Sequence, residues 1–251
     1  MRVLIVIPVY NEVSTVEGVL RAVRQYAEHI LVIDDASTDG TGEVLKRIQG
    51  ELGFKLIARK ANAGYGRAMQ DGLRAGAEGG YDWVITMDCD EQHEPASIPR
   101  FIAIARQGEL DVISGSRYLS LDDADGVPPA DRRSINLRIT DEINDRLGLC
   151  LTDGFCGFKA YRVEAVGELE LTEDGYAFPM QFWVEAVAAG LRIGEIPVRL
   201  IYTDAKRSFG GGLDDPAIRY GHYQEVLHRA ICRRACQLSR VARTGLGCQR
   251  C

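Results

Sequence analysis

The sequence predicts an α/β fold in which a mostly parallel sheet is flanked by helices. Segments with strand-like and helix-like hydrophobic patterns alternate along the chain, which is typical of a parallel sheet connected by helices. The first strand, Val3–Val9, is a run of aliphatic and β-branched residues, as expected for a strand buried on both faces. The 251 residues, of which 46% are hydrophobic, are enough to form the core of one such domain.

The same patterns place the individual elements. Residues 13–28, for example, put Val16, Val19 and Val23 on one face of a helix. The predicted strands span residues 3–9, 30–33, 55–58, 83–87, 112–114, 155–161, 192–197 and 198–202. The predicted helices span residues 13–28, 41–49, 66–77, 98–106, 135–147, 180–189 and 218–241. Residues 119–130 and the glycine-rich residues 209–215 are expected to form loops, so we predict an α/β domain over residues 1–215 and a helical extension over residues 216–251.

The charge distribution excludes one class of partner and leaves two interpretations of the extension. A formal net charge of -6 argues against nucleic-acid binding. Residues 216–251, however, contain seven Arg and one acidic residue, Glu225. The extension is either a basic amphipathic helix that lies on an anionic membrane or a helix packed on the domain with a solvated arginine face. Its apolar face would consist of Val226, Leu227, Ala230, Ile231, Leu238 and Val241.

The apolar and cysteine patterns favour a cytoplasmic protein. No stretch approaches the roughly 18 apolar residues that span a bilayer, and the run Val3–Val9 is too short for a secretory signal. Seven Cys at irregular spacing predict reduced thiols rather than a disulfide framework. The four cysteines of the extension lack the spacing of a standard zinc site: Cys232, Cys236, Cys248 and Cys251. Contact with the inner face of the membrane would then be peripheral.

Polar side chains follow three of the predicted strands. The first strand runs into residues 8–12, the second into residues 34–41 and the fourth into residues 88–93. Ligands of open α/β sheets bind at the carboxyl ends of strands, so these loops are expected to surround one crevice. Asp35 could accept a hydrogen bond from a nucleoside there, whereas Asp39 and Gly40 are typical of a turn before a helix. The glycines of residues 62–66 either let backbone N–H groups approach a ligand or allow tight packing.

Asp88 and Asp90, at the end of the fourth strand, predict a divalent metal site. Two carboxylates separated by one residue can share a hard cation such as Mn²⁺ or Mg²⁺, and Gln92 adds a neutral oxygen at the same spacing. Such a metal would act as a Lewis acid toward a departing nucleoside diphosphate. The alternative is a solvated acidic loop that caps a helix. His93 could be a further ligand or lie outside the ligand shell.

Four motifs in this order resemble those of family 2 inverting glycosyltransferases, which have the GT-A fold. They are residues 7–12 (IPVYNE), 32–41 (VIDDASTDGT), 62–66 (NAGYG) and 87–93 (MDCDEQH). Later segments resemble the dolichyl- and polyprenyl-phosphate sugar synthases of this family: residues 115–118 (GSRY), 153–162 (DGFCGFKAYR) and 175–178 (GYAF). The resemblance runs from about residue 2 to about residue 210. It implies inverting transfer of a hexose from a GDP- or UDP-linked donor to a polyprenyl phosphate.

The resemblance also implies roles for individual residues. The nucleoside would be held by Pro8, Tyr10, Glu12, Ile33 and Asp35. The metal would be held by Asp88, Asp90 and Gln92, with Cys89 lining the donor site through its backbone. Arg117 would contact a donor or acceptor phosphate, and Arg132 and Arg133 the acceptor phosphate, since guanidinium groups suit phosphate oxygens. The implied catalytic residues are Asp90, Arg117 and Asp153.

The sequence departs from the subgroup in two places. Where the subgroup has G-x-S-K, residues 206–210 are KRSFG, so Phe209 takes the lysine position. Lys206 and Arg207 would have to reach the diphosphate from upstream. The glutamate that follows G-Y-x-F in the subgroup is Gln181 here.

Other functions stay open at this point. A hydroxyl acceptor, on a glycan or a small metabolite, needs a general base because its pKa is far above 7, whereas a phosphate is already an anion. Family members that glycosylate hydroxyls carry an E-D pair at the start of a late helix, and Glu173 and Asp174 lie several residues before that position. A nucleotidyltransferase would carry a Gly-rich loop with Arg and Lys after the first strand, which residues 8–12 lack. A non-catalytic nucleotide-sugar binder would be expected to have lost the metal carboxylates.

Overall fold

The computed structural model describes residues 1–120, 126–202 and 208–248 as a seven-stranded sheet flanked by helices. The strands are β1 (Val3–Val9), β2 (His29–Asp34), β3 (Lys55–Ala58), β4 (Trp83–Thr86), β5 (Val112–Ser116), β6 (Lys159–Arg162) and β7 (Ile193–Pro197). The helices are α1 (Val16–Arg24), α2 (Thr41–Leu52), α3 (Tyr65–Glu78), α4 (Ile98–Ala105), α5 (Ala130–Leu147), α6 (Val163–Val166), α7 (Phe178–Ala188) and α8 (Pro216–Arg233). Short 3₁₀ helices lie at Pro95–Ser97 and Gly211–Asp214.

The sheet is mostly parallel, which confirms the predicted fold class. Its strand order is β3-β2-β1-β4-β6-β5-β7, and β6 runs antiparallel to both of its neighbours. The other pairs of adjacent strands are parallel. Because β1 lies between β2 and β4 and runs parallel to both, the carboxyl ends of these three strands meet at one edge of the sheet.

Both faces of β1 are buried, and alternate side chains of this strand enter two different halves of the core. Leu4 and Val6 pack in the half formed with α3, α5, α7 and α8. Ile5, Ile7 and Val9 pack in the half formed with α1, α2 and α4. The period of two residues in a strand therefore produces a three-layer arrangement of helices, sheet and helices.

The C-terminal helix α8 packs into the core, as the second of the two interpretations expected. Most of the apolar face predicted for the extension is buried, both in α8 and in the turns after it: Val226, Leu227, Ala230, Ile231 and Leu238. Val241 is the exception, with 62% of its surface exposed. Arginines of this segment pair with carboxylates of the domain, such as Arg234 with Glu185 at 2.7 Å. In the described ranges, no helix is long and apolar enough to cross a membrane.

Some boundaries differ from the predicted ones for local reasons. The strand expected at residues 155–161 begins only at Lys159, because the backbone N–H of Phe155 donates to the side chain of Asp153 and closes a turn. Helix α8 ends at Arg233, since Arg234 leaves helical geometry with φ of -101° and ψ of 18°. Residues 198–200 form no strand, and the four-residue helix α6 was not expected.

The cysteine prediction is wrong for one pair. Cys232 in α8 and Cys248 form a disulfide, because the turns after α8 bring residue 248 back beside the helix. The irregular spacing in the sequence concealed this pairing. Cys150 and Cys156 are thiols, and Cys251 lies outside the described residues. Within the described part of the chain, no group of three or more His, Cys, Asp and Glu side chains could hold a metal ion. This holds for the described cysteines of the extension as well.

Glu142 joins α5 to α8. Its carboxylate accepts hydrogen bonds from Gln224 Nε2 at 2.9 Å and from Arg146 Nε at 2.8 Å, and it lies 2.6 Å from His228 Nε2. Burial alone would raise the pKa of Glu142, but the hydrogen bonds from Gln224, His228 and Arg146 lower it to about 2. This carboxylate therefore adds a polar connection between α5 and α8 to the apolar contacts of the C-terminal helix.

We expect Glu142→Gln to lower the free energy of unfolding by about 1 kcal/mol at neutral pH, a value that allows for solvent screening. Because the folded-state pKa lies below the ordinary value of 4.5, the stabilisation is complete above pH 4.5 and is lost as the pH falls toward about 2. The free energies of unfolding of wild type and variant, measured by denaturant melts, should therefore differ more at pH 7 than at pH 3. Asp145→Asn, at an exposed position of the same helix, is the control. A difference that grows toward low pH would contradict this account.

Candidate active site

A cavity of about 540 Å³ lies at the carboxyl ends of β1, β2 and β4, and residues of α3, α5 and α8 complete its walls. The predicted site residues that line it are Pro8, Tyr10, Glu12, Asp35, Asp88, Cys89, Asp90, Gln92, Arg117 and Arg132. Ile33, Arg133 and Asp153 do not line it. Lys206 and Arg207 fall outside the described residues. The crevice expected from the strand ends is therefore present.

Each of the three strand-end loops contains one residue other than glycine with left-handed backbone geometry. These residues are Asn11 after β1, with φ of 58°, Ala36 after β2, with φ of 63°, and Glu91 after β4, with φ of 61°. None of them is glycine, so each conformation costs on the order of 1–3 kcal/mol and must be held by its surroundings. This backbone strain therefore lies in the three loops at the edge of the cavity.

The loops after β1 and β2 hold each other in place. The side-chain oxygen of Asn11 accepts a hydrogen bond from the backbone N–H of Thr38 at 2.8 Å, and the Asn11 N–H donates to Ser37 Oγ at 2.9 Å. The carboxylate of Asp39 accepts from the backbone N–H groups of Val13 at 3.1 Å and Thr41 at 3.0 Å. Asp39 therefore has the structural role that the sequence predicted.

Asp35 organises a third loop while it lines the cavity. Its carboxylate pairs with Arg59 at 2.6 Å and accepts hydrogen bonds from the backbone N–H groups of Ala63 at 2.9 Å and Gly64 at 2.8 Å. A carboxylate has about four acceptor positions, so Asp35 can still accept a hydrogen bond from a nucleoside hydroxyl. The contact itself stays a prediction. A Cβ on Gly64 or Gly66 would overlap the backbone of residues 173–174, which favours the packing role for these glycines.

His93 holds the backbone of the acidic turn after β4. The backbone N–H of Asp88 donates to His93 Nδ1 at 3.0 Å, and His93 Nε2 lies 3.9 Å from the sulfur of buried Cys156. His93 is 5% exposed and holds the turn, rather than facing the cavity. A Cβ on Gly157 would overlap the carboxylate of Asp88, so the glycine makes room for that group. The two aspartates are thus placed at the cavity wall by buried neighbours.

Asp153 holds Arg117 by a two-pronged ion pair. Arg117 Nε donates to Asp153 Oδ2 at 2.7 Å, and Arg117 Nη2 donates to Oδ1 at 2.9 Å. Asn136 Nδ2 also donates to Oδ1 at 2.9 Å. Burial of the fully covered Asp153 would raise its pKa, but the charge of Arg117 and the hydrogen bonds from Arg117 and Asn136 lower it to about 2. Asp153 therefore orients Arg117 without lining the cavity itself. A direct catalytic contact of Asp153 stays a prediction.

Two other predicted residues lie away from the cavity. Ile33 is fully buried in the core, because its side chain points to the face of the sheet that helices cover. Arg133 follows Arg132 on α5, and adjacent helical residues do not share a face. Its guanidinium lies 3.5 Å from the ring centre of Tyr118, whereas Arg132 donates to the hydroxyl of Tyr202 at 2.7 Å and lines the cavity. The predicted side-chain contacts of Ile33 with a nucleoside and of Arg133 with a phosphate are therefore not supported.

The structure adds wall residues that were not among the predicted site residues. Arg219 and Tyr223 reach the cavity from α8, and Phe209 reaches it from the loop before this helix. Tyr176 stacks on Tyr65 with ring centres 6.0 Å apart. Asp215 caps α8 by accepting hydrogen bonds from the N–H groups of residues 217 and 218. The Asp-Pro pair at residues 215–216 is therefore the sequence signal that could have placed Arg219 in the first turn of a helix, next to the loop that contains Phe209.

Glu173 and Asp174, the candidates for a general base, do not line the cavity. Glu173 pairs with Arg229 at 3.1 Å, and Asp174 Oδ1 accepts a hydrogen bond from Gln70 at 3.3 Å. Among the described residues, the carboxylates that line the cavity are those of Glu12, Asp35, Asp88 and Asp90. All four belong to the strand-end loops.

Comparison with known proteins gives consistent matches over most of the chain. The family model for glycosyl transferase family 2 matches residues 4–170. Undecaprenyl-phosphate mannosyltransferase of Micrococcus luteus is 32% identical over 229 residues, which cover 87% of this chain and 91% of that protein. Polyprenol monophosphomannose synthase of Mycolicibacterium smegmatis is 30% identical over 206 residues, which cover 78% of this chain and 76% of that protein.

A solved structure has the same architecture. Glucosyl-3-phosphoglycerate synthase of Mycobacterium tuberculosis, in complex with Mn²⁺, uridine diphosphate and glucosyl-3-phosphoglycerate, superposes with a TM-score of 0.67 at 18% identity. The superposition covers 91% of this chain and 79% of that chain, and it confirms the predicted GT-A fold. From the family match over more than half of its length and the two relatives, the chain belongs to glycosyltransferase family 2 and is a glycosyltransferase.

Proposed function

We propose that this glycosyltransferase moves a hexose from a GDP- or UDP-linked donor to a polyprenyl phosphate, with inversion at the anomeric carbon and with bound Mn²⁺ or Mg²⁺. The observation that carries this proposal is the charge pattern of one cavity. Carboxylates of Asp88 and Asp90 line it together with the guanidinium groups of Arg117, Arg132 and Arg219. A metal-bound diphosphate and a second phosphate suit such a mixed wall. The names of the two relatives support a polyprenyl phosphate as acceptor.

The residues present fit a divalent cation. Asp88 and Asp90 supply hard oxygen donors at the wall of the cavity, and 30% of the Asp88 side chain is exposed. Mg²⁺ and ions like it are usually held by one or two carboxylates and by phosphate oxygens of the substrate, so a complete set of protein ligands is not needed. Gln92 lines the same wall and is the proposed third oxygen ligand. The bound metal supplies Lewis-acid stabilisation of the negative charge that develops on the departing diphosphate.

The positions of the two candidate bases, Glu173 and Asp174, support a phosphate acceptor. In an inverting transfer, the acceptor oxygen attacks the anomeric carbon while the bond to the diphosphate breaks on the opposite side. A hydroxyl acceptor must lose a proton to a base, whereas a phosphate oxygen attacks as an anion. Glu173 and Asp174 lie outside the cavity, and Glu173 is already paired with Arg229. The described arrangement therefore supports transfer by positioning and electrostatics, with Arg117 held ready for a phosphate by Asp153.

A lipid acceptor would bring the protein into peripheral contact with the cytoplasmic face of a membrane. The apolar face of α8 is buried and does not serve this purpose. Large apolar side chains next to cavity-lining residues are exposed instead: Leu119 by 45%, Val127 by 84% and Ile218 by 56%. We propose that these residues form the part of the rim that meets the lipid.

Asp90→Asn should lower kcat/KM by at least about a hundredfold at saturating Mn²⁺, because the isosteric amide removes one negative ligand of the metal. The melting temperature should stay unchanged, since the side chain lies on a cavity wall. Steady-state release of nucleoside diphosphate measures the effect. Asp141→Asn, at an exposed position remote from the cavity, is the matched control. Near wild-type activity of the Asp90 variant would remove the metal assignment.

The acceptor is tested by nucleoside diphosphate release from GDP- and UDP-sugars with Mn²⁺, with and without short-chain polyprenyl phosphate. We expect release that depends on the lipid phosphate, and a product whose anomeric configuration is inverted relative to the donor. Free polyprenol, which carries a hydroxyl in place of the phosphate, is the matched acceptor control and should be inactive. Release with hydroxyl acceptors alone would contradict the proposed acceptor and direct attention to a base not yet identified.

A further inference from the structure

Arg219 is a buried arginine in the first turn of α8, and it lines the cavity although it belongs to the C-terminal extension. Only 3% of its surface is exposed. The helix start places it there: Asp215 caps the helix by accepting hydrogen bonds from residues 217 and 218, and Pro216 fills the first helical position. The guanidinium is thus carried by a rigid element rather than by a loose loop.

Two hydrogen bonds fix the guanidinium and leave donors for a ligand. Arg219 Nη1 donates to the backbone carbonyl of Leu213 at 2.8 Å, and Nη2 donates to Asp131 Oδ2 at 2.6 Å. A guanidinium has five N–H donors, so three are not used by these bonds. The side chain of Asp131 is 41% exposed, and the attraction that it provides is therefore weakened by water.

The phenyl ring of Phe209 lies between two arginines of the cavity wall. The guanidinium carbon of Arg219 is 4.6 Å from the centre of this ring, and that of Arg132 is 4.7 Å from it. Residue 209 carries no charge, so the positive charge at this point comes from α8 and α5. The loop that holds the ring is itself fixed, because Asp214 accepts hydrogen bonds from Ser208 Oγ at 2.6 Å and from the Phe209 N–H at 2.8 Å.

A guanidinium with so little exposure is expensive to bury unless an anion compensates it. Arg117, the third arginine of the cavity, is already matched by the buried carboxylate of Asp153. Among the described residues, the carboxylate that pairs with Arg219 is the half-exposed one of Asp131, and the cavity lies on the other side of the guanidinium. A ligand with phosphate oxygens would add negative charge on the cavity side and accept from the N–H donors that the bonds to Leu213 and Asp131 do not use.

We propose that Arg219 binds a phosphate oxygen of the substrate, so that the C-terminal helix is part of the active site. Phe209 sets the separation of Arg219 from Arg132, and the two guanidinium groups act as a pair. The proposal rests on the proposed function for its ligand, because both substrates of that reaction contain phosphate. Either the diphosphate of the donor or the phosphate of the acceptor presents the required oxygens, and the experiment distinguishes them.

The test measures binding and turnover separately in Arg219→Gln, Arg219→Lys and the control Arg233→Gln. Arg233 is exposed on the same helix and donates to Thr172 Oγ1 at 3.0 Å, so its loss removes a positive charge away from the cavity. Titration calorimetry with GDP and UDP in the presence of Mn²⁺, and with short-chain polyprenyl phosphate, gives the affinity for each phosphate source. KM for donor and acceptor is measured in parallel.

We expect Arg219→Gln to weaken binding of one phosphate source by at least about tenfold, with a matching rise in its KM and a smaller change in kcat. Arg219→Lys should lie between the Gln variant and wild type, because it keeps the charge but loses the planar fork. Arg233→Gln should bind as wild type does. A loss confined to GDP or UDP assigns the residue to the donor, and a loss confined to polyprenyl phosphate assigns it to the acceptor.

Wild-type affinities for both phosphate sources in folded Arg219→Gln would overturn the proposal. If the Gln variant does not fold, the Lys variant decides, and wild-type binding and KM in that variant would likewise overturn it. Failure of the proposed acceptor is a separate result. Wild-type protein would then not transfer sugar to polyprenyl phosphate, while weaker binding of GDP or UDP by Arg219→Gln would still support the role of the arginine.

Discussion

The parallel strands β1, β2 and β4 end at one edge of the sheet, and every carboxylate found at the cavity wall among the described residues is placed by that constraint. The loops after these strands turn sharply through the left-handed residues Asn11, Ala36 and Glu91. This backbone strain is balanced by contacts between the loops, such as the Asn11 side chain on the backbone of Thr38. The sheet thus fixes where the acidic groups lie, and the loop contacts fix how they point.

The basic part of the wall is built differently. Arg117, Arg132 and Arg219 come from the end of β5, from α5 and from α8, and each is held by its own partner. Arg117 forms an ion pair with the buried carboxylate of Asp153, whereas Arg219 forms one with the half-exposed carboxylate of Asp131. Because α8 packs on α5 through its apolar face and through Glu142, the stability of the C-terminal helix and the shape of the cavity are physically linked. Sugar transfer to a phosphate needs such fixed charges more than it needs a base.

The sequence was most informative where chemistry and local pattern coincide. Strand-end loops could be identified from hydrophobic runs followed by polar residues, and Asp35, Asp88 and Asp90 were found in that way. It was least informative where the fold brings distant segments together. Nothing in the spacing of Cys232 and Cys248 indicates their disulfide, and no periodicity indicates that Arg219 faces the same cavity as Arg132. Adjacent arginines on α5 also looked equivalent, although helical geometry sends Arg133 to Tyr118 and not to the cavity.

We propose that Asp88 and Asp90 bind a metal together with the diphosphate of a nucleotide. Calorimetric titration of Mn²⁺ in the absence and in the presence of GDP or UDP measures whether metal and nucleotide bind at one site. Mg²⁺ and ions like it are usually held by one or two carboxylates together with phosphate oxygens of the substrate, so we expect a nucleotide to add ligands to those of Asp88, Asp90 and Gln92. We therefore predict Mn²⁺ affinity that rises at least about tenfold with nucleotide and is lost in Asp90→Asn. Equal Mn²⁺ affinity with and without nucleotide, or in wild type and variant, would contradict the account.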